Sequence, residues 1–111
     1  MNYNIRIMSP AKKDIREIHR YISEEYCNST AATRRVILIY NKIQSLSQNP
    51  ARFPLVQDDF LSAKGIRVTS AETQKIFYII REEIKTVSVI RILHGRRDWL
   101  RILKQDDDYI E

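Results

Sequence analysis

The sequence is poor in cysteine, glycine and proline, with one, two and three of them in 111 residues. The single cysteine, Cys27, cannot form an internal disulfide, which fits a reducing compartment such as the cytoplasm. So few glycines and prolines exclude collagen-like and low-complexity chains, and a hydrophobic content of 43% argues against disorder. No apolar run approaches the roughly 18 residues of a membrane helix, and residues 1–6 lack the pattern of a secretory signal. We therefore expect a cytoplasmic globular protein without a membrane partner.

The residues that common enzyme sites require are also scarce. The only histidines are His19 and His94, and no histidine or cysteine pair has the spacing of a zinc site. The only glycines, Gly65 and Gly95, are too far apart to form a loop that cradles phosphate, and no nucleophile elbow is present. We therefore expect neither a metal ion nor another cofactor.

Positive charge, in contrast, is abundant. The net charge is +5, but Asp106, Asp107, Asp108 and Glu111 lie at the very end of the chain. Without residues 106–111, the chain keeps all 19 basic residues and ten acids, a net charge of +9. Such an excess is typical of a domain that binds nucleic acid or an acidic protein, although a soluble domain can also simply be basic.

The first half of the chain has the pattern of a strand followed by two helices. Polar and apolar residues alternate over residues 3–8, and Ser9-Pro10 is a helix-start signal. Apolar residues then recur at helical spacing, interrupted over Cys27–Thr30, until Asn49-Pro50 ends the pattern. Helices joined by so short a connection are expected to pack as an antiparallel hairpin.

The second half has the pattern of strands. An edge strand near Phe53–Val56 is one expectation, and stronger strand patterns cover residues 66–69, 75–80 and 86–93. Short turns between strands indicate antiparallel pairing. The sequence thus predicts an α+β fold of order β-α-α-β(3–4), with the helical hairpin on one face of an antiparallel sheet. We expect one domain over residues 1–105 and a flexible acidic tail over residues 106–111.

Basic residues concentrate at the end of the last predicted strand. Between residues 91 and 104, a single acid, Asp98, accompanies a basic set: Arg91, His94, Arg96, Arg97, Arg101 and Lys104. Arginine binds phosphate and carboxylate through paired hydrogen bonds, so this cluster is a candidate binding surface. A solvated basic face with Trp99 packed inward is the alternative. Arg67 and Lys75 join the cluster if the hairpin places them side by side.

Several ordered blocks together resemble the RelE/ParE superfamily of bacterial type II toxins, over roughly residues 3–104. The resemblance rests on Ser9-Pro10, Leu46–Pro50 followed by Arg52-Phe53-Pro54, Lys64–Arg67, Ile76–Tyr78 and Ile90–Trp99. The last block is the most specific, and it is more similar to the ParE branch than to the RelE branch. The resemblance implies the same α+β fold and a toxin that is neutralised by a cognate antitoxin.

For the RelE branch, the resemblance implies a ribosome-dependent mRNA endoribonuclease. Lys75 and Arg97 match positions where such enzymes carry arginines, and the catalytic set would be Arg67, Lys75, Arg91, His94 and Arg97. The chain departs from that pattern because Leu100–Leu103 occupies the region of the catalytic tyrosine. His94 is the candidate substitute, since histidine ordinarily titrates near neutral pH.

For the ParE branch, the resemblance implies a toxin that poisons DNA gyrase and has no established catalytic set. The missing tyrosine favours this interpretation, in which the target-binding residues are Arg91, His94, Arg96, Arg97, Trp99 and Arg101. A non-toxic family member that only binds antitoxin is a third hypothesis. Whether the protein is an enzyme therefore depends on the branch.

An acidic antitoxin is the expected partner. Ile37 and Tyr40 lie off the apolar seam of the second helix, where they either rest on the sheet or form an exposed stripe for the antitoxin. The chain has no recognition-helix pattern, so we expect a DNA-binding antitoxin to contact operator DNA.

Overall fold

A strand and two long helices open the fold, and the remaining strands follow. The computed structural model describes residues 2–105. Its strands are β1 (Asn4–Ile7), β2 (Ile66–Ala71), β3 (Gln74–Arg81) and β4 (Thr86–His94). Its helices are α1 (Ser9–Glu25), α2 (Ser29–Ser45), α3 (Asp59–Ala63) and α4 (Trp99–Gln105), and single 3-10 turns span Pro50–Arg52 and Glu82–Ile84. The predicted acidic tail lies outside the described residues, so the division at residue 105 stays a prediction.

The helical hairpin forms where the apolar spacing predicts it. Ala11 and Ile15 of α1 and Ile39 and Ile43 of α2 are all buried in one core. Between the helices the backbone reverses, and the side chain of Asn28 accepts a hydrogen bond from the Ala31 N–H at 3.0 Å. That bond satisfies one of the free donors at the start of α2.

The sheet has the strand order β1-β4-β3-β2 and is mixed rather than fully antiparallel. β2 pairs with β3, and β3 with β4, in the predicted antiparallel sense. β1, however, pairs parallel to β4, with Ile5 opposite Val87. The prediction of an antiparallel sheet was wrong for this strand because turn length constrains only strands that are joined directly. The α+β class, with the hairpin on one face, is confirmed.

Each face of the sheet has its own core. The helical hairpin covers one face, where Ile76, Tyr78 and Val89 are buried. The other face is covered by α3, α4 and the segment before α3. There Trp99 packs on Phe77 with ring centroids 5.3 Å apart. The single tryptophan therefore holds α4 against the sheet.

The edge strand expected near Phe53–Val56 is reduced to an isolated bridge, and a short helix follows it. Leu55 makes only an isolated bridge with Arg67, and the Val56 N–H donates to the Ile66 carbonyl at 2.9 Å. Pro54 has no N–H to extend this pairing into a strand. α3 follows, and Asp58 accepts from the Leu61 N–H at 3.1 Å at its start. Within residues 2–105, no helix is long and apolar enough to cross a membrane.

Candidate functional site: a basic groove between the helices and the sheet end

A wide groove runs between α1, the first turns of α2, the β2–β3 turn and the end of β4. Its volume is about 1510 Å³, larger than the roughly 300–1,000 Å³ of most small-molecule sites. Apolar side chains contribute to its walls, among them Ile18, Ile22 and Ile92, beside the exposed rings of Tyr21 and Tyr26. The dimensions suit a polypeptide segment better than a small ligand.

The charges of this basic groove are mostly of one sign. Its carboxylates are Asp14, Glu17 and Glu72. Its lysine and arginine side chains are Lys13, Arg16, Arg20, Arg34, Arg35, Arg91, Arg96 and Arg97. Such an excess raises the local concentration of anionic partners and suits phosphate or carboxylate groups.

A buried ion pair forms part of the groove wall. Arg91 donates to both carboxylate oxygens of Asp14, from Nε at 2.8 Å and from Nη2 at 2.9 Å. The same carboxylate accepts the Ile92 N–H at 2.9 Å. Arg91 lies next to an irregularity in the β3–β4 pairing. The pair fixes α1 to β4, and it neutralises the charge of Arg91.

His94 ends β4 and begins a tight turn toward α4. Its Nδ1 accepts a hydrogen bond from the Arg96 N–H at 3.0 Å, and its carbonyl accepts the Arg97 N–H at 3.0 Å. A neutral imidazole that accepts at Nδ1 carries its proton on Nε2. His94 lines the groove, and its turn places Arg96 and Arg97 on the rim.

The β2–β3 turn forms the adjoining wall and is tied to α2. Arg35 pairs with Glu72 at 3.0 Å and donates to Thr73 Oγ1 at 3.1 Å. The Thr73 carbonyl accepts the Gly95 N–H at 2.9 Å. These bonds join α2, the β2–β3 turn and the end of β4 into one rigid frame.

Gln74, at the base of this turn, has an incompletely paired side chain. It is 5% exposed and contributes to the groove wall. Its Nε2 lies 3.5 Å from Thr73 Oγ1, a long contact, and its Oε1 is buried without a hydrogen-bond partner among residues 2–105. A buried acceptor without a partner destabilises a fold by about 1–3 kcal/mol. Sequence reasoning missed Gln74, since no spacing rule marks a single glutamine.

The hairpin does not place Arg67 and Lys75 side by side, which was the condition for adding them to the basic cluster. Arg67 lies opposite Tyr78, three residues from Lys75 along β3, so the two side chains lie on opposite faces of the sheet. Arg67 donates to the Phe53 carbonyl at 2.7 Å and to the Ala51 carbonyl at 3.3 Å. It supports the loop after α2 and is not part of the groove.

Four of the six candidate target-binding residues line the groove, namely Arg91, His94, Arg96 and Arg97. Trp99 is partly buried on the other face of the sheet. Arg101 is exposed and pairs with Asp98 at 3.1 Å, outside the groove lining. The interpretation of Trp99 as an inward-packed residue therefore holds, and a role of these six residues in target binding stays a prediction.

Ile37 and Tyr40 form an exposed stripe on α2 and do not rest on the sheet. Their exposed fractions are 52% and 40%. Residues three apart lie on the same side of a helix, so Ile37 continues from Arg34, which lines the groove. The stripe and the groove thus adjoin along α2.

The groove offers hydrogen-bond donors rather than metal ligands. Within the described part of the chain, no three histidine, cysteine, aspartate or glutamate side chains group in the manner of a metal site. Asp14, which proved central, was missed from sequence because its partner is 77 residues away. Chemically, the arrangement can bind anionic groups along an apolar floor.

The chain is similar to a family of toxins and to several solved toxin and toxin–antitoxin structures. The family model for "ParE toxin of type II toxin-antitoxin system, parDE" matches residues 5–99. No curated protein matches the chain. Among solved structures, the RelBE2 toxin–antitoxin complex of Mycobacterium tuberculosis is similar with a TM-score of 0.65 and 19% identity, over 85% of this chain and 92% of that one.

Two further structures are similar in fold. The chromosomal ParDE system of P. aeruginosa has a TM-score of 0.66 and 16% identity, over 83% of this chain and 95% of that one. A mutant of the E. coli toxin RelE in the free state has a TM-score of 0.60 and 14% identity, over 95% and 98%. Identities this low show the fold alone, whereas the family model spans most of the sequence. The chain belongs to the ParE toxin family of type II toxin–antitoxin systems.

Proposed function

We propose that the chain arrests growth by binding and poisoning DNA gyrase, and that a cognate acidic antitoxin neutralises it. The observation that carries the first part is that two of the five candidate ribonuclease residues, Arg67 and Lys75, lie outside the groove lining. Arg67 is held by backbone carbonyls of the loop after α2, and Lys75 lies on the opposite face of the sheet from Arg67. Arg91 is paired with Asp14. The match of the ParE family model also favours the gyrase target over the ribosome.

The hydrogen bond at His94 Nδ1 also favours gyrase over a ribonuclease activity. A residue that replaces the missing catalytic tyrosine would need to exchange protons with RNA. The Nδ1 of His94 instead accepts from the Arg96 N–H, so this nitrogen is occupied and is not free to take a proton from RNA. His94 is better suited to positioning Arg96 and Arg97 than to acid–base chemistry.

We propose that the antitoxin places an acidic, amphipathic segment in the basic groove. The lining supplies arginines for its carboxylates and the Ile18, Ile22 and Ile92 side chains for its apolar face. Ile37 extends this surface along α2 and is 52% exposed, so the same segment can bury it. The solved RelBE2 relative is itself a toxin–antitoxin complex, which supports a partner of this kind.

A supercoiling assay tests the target. Purified chain is added to gyrase, relaxed plasmid and ATP, and the plasmid forms are separated on a gel. We expect loss of supercoiling and accumulation of linear plasmid, both reversed by the antitoxin. The double variant Arg96→Glu, Arg97→Glu should inhibit at least tenfold less, because two rim charges are reversed. Arg6→Glu with Lys12→Glu, two exposed changes outside the groove lining, is the matched control.

Two other results would overturn the gyrase proposal. Cleavage of mRNA on ribosomes without any effect on gyrase would identify a RelE-like ribonuclease, and Arg97→Ala and His94→Ala should then abolish cleavage. Normal growth during expression of the folded chain would leave a family member that binds antitoxin without toxicity.

A further inference from the structure

Gln74 is a groove-lining residue whose side-chain amide is incompletely hydrogen-bonded. Gln74 begins β3 directly opposite His94, so it lies where the sheet ends beneath the groove. It is 5% exposed, and its Oε1 has no partner among residues 2–105. Its neighbour Thr73 already accepts from Arg35, so the surrounding frame is bonded without it.

A buried acceptor without a partner lowers the stability of the fold, so it is unexpected in a residue whose only role is structural. A methionine or leucine of similar size would fill the same space without an unpaired acceptor. Residues that destabilise the free protein in this way are expected where binding requires them. The terminal torsion of glutamine is broad, so a small rotation turns the amide toward an occupant of the groove.

The chemistry of the amide defines the ligand. A glutamine offers one acceptor and a two-hydrogen donor side by side, which matches the N–H and C=O of a peptide group. Main-chain groups of a bound segment need such partners once they leave water. The arginines of the rim meanwhile select acidic side chains.

We propose that Gln74 is a specificity-determining residue, whose amide pairs with a main-chain peptide group of an acidic segment lying in the groove. The inference rests on the proposed function, in which that segment belongs to the antitoxin. It assigns two tasks to different residues: the arginines attract the segment, and Gln74 fixes its position along the groove.

The test measures stability and binding in the same variants. The probe is the full-length protein encoded by the reading frame adjacent to that of the chain, immobilised for kinetic measurements. Gln74→Met removes the amide and keeps the volume. We expect the free variant to melt about 3–6 °C higher, because a buried unpaired acceptor is gone. Its affinity for the antitoxin should fall roughly tenfold, mainly through faster dissociation.

Two further variants sharpen the comparison. Gln74→Glu keeps an acceptor but cannot donate and repels acidic side chains, so it should bind more weakly than Gln74→Met. Gln57→Met makes the same chemical change at an exposed loop position outside the groove lining, and neither melting temperature nor affinity should change.

A lower melting temperature for Gln74→Met together with unchanged affinity would overturn the inference and make Gln74 a structural residue. Failure of the proposed function looks different. In that case the wild-type chain does not bind the antitoxin, or reversing Arg16 and Arg34 leaves the affinity unchanged.

Discussion

Asp14 and Arg91 form a two-point ion pair that joins the first long helix to the last strand. The oxygens of Asp14 lie 2.8 and 2.9 Å from Nε and Nη2 of Arg91. The side chains are only 10% and 17% exposed, so solvent screens the pair weakly. The pair therefore belongs to the framework of the basic groove and not to its solvated rim.

Asp14→Asn should be strongly destabilising. An amide carries no charge to balance that of Arg91, and removing one partner of a largely buried ion pair costs about 3–5 kcal/mol. Urea denaturation followed by circular dichroism measures the change in the free energy of unfolding. Glu24→Gln is the matched control, because the Arg20–Glu24 pair is 59% and 65% exposed and solvent screening makes its contribution to stability small. Equal effects of the two changes would contradict the framework role.

The helical hairpin and the hydrophobic strands could be predicted from the sequence because each depends on local periodicity. Ile39 and Ile43 recur at helical spacing, and both are fully buried. The parallel pairing of β1 could not be predicted, since it depends on where the chain returns after the hairpin. The groove depends on the same long-range step, because α1, α2, the β2–β3 turn and β4 each supply one wall.

Arg67 belongs to a family motif, but the sequence alone suggested a functional role where the structure shows a structural one. The block Arg52-Phe53-Pro54 and Arg67 both belong to the family resemblance, yet they stabilise a loop. Arg52 donates to the Gln48 carbonyl at 2.6 Å, and Arg67 to the Phe53 carbonyl at 2.7 Å. Only the strand register separates such arginines from those of a binding surface, and register is not visible in a single sequence.

Tyr78 is expected to make stability fall at high pH. Its hydroxyl donates to the Pro50 carbonyl at 2.6 Å, and burial raises the pKa of Tyr78 to about 12. In the unfolded chain a tyrosine loses its proton near pH 10. Between these values the folded state holds the proton more tightly, so the stabilisation is complete below pH 10 and is lost as pH rises through 12.

The variant Tyr78→Phe separates this effect from the titration of lysines. At pH 7 it should lose about 1–2 kcal/mol, because the Pro50 carbonyl is left without its partner. Above pH 10 its free energy of unfolding should decline less steeply than that of the wild type. Parallel declines in the two proteins, measured by urea denaturation from pH 8 to 11.5, would rule out Tyr78 as the cause.

The two glycines should respond differently to replacement by alanine. Gly65 follows α3 with a φ of +79°, and a Cβ there would meet nothing within 4 Å. Gly65→Ala therefore costs only backbone strain, about 1 kcal/mol. At Gly95 a Cβ would lie 3.5 Å from the Thr73 carbonyl and 3.6 Å from Lys75 Cε, both ordinary contacts. Thermal unfolding should show a lower melting temperature for Gly65→Ala and little change for Gly95→Ala.

Charge reversal on the groove rim should slow association with the antitoxin. Arg16 and Arg34 lie on α1 and α2, line the groove and are exposed. Rim charges act at a distance on diffusional encounter, so Arg16→Glu with Arg34→Glu should lower the association rate about tenfold at low salt. Arg6→Glu with Arg101→Glu, both exposed and outside the groove lining, is the control for net charge.

The effect of Arg16→Glu with Arg34→Glu on antitoxin binding should depend on salt and be confined to the association rate. Because exposed charges are screened at high ionic strength, the difference between the double variant and the wild type should shrink as salt is added. The dissociation rate should change little, in contrast to Gln74→Met, for which faster dissociation is expected. If Arg6→Glu with Arg101→Glu slowed association as much as Arg16→Glu with Arg34→Glu, the general charge of the protein would explain the attraction, and the basic groove would have no special part in it.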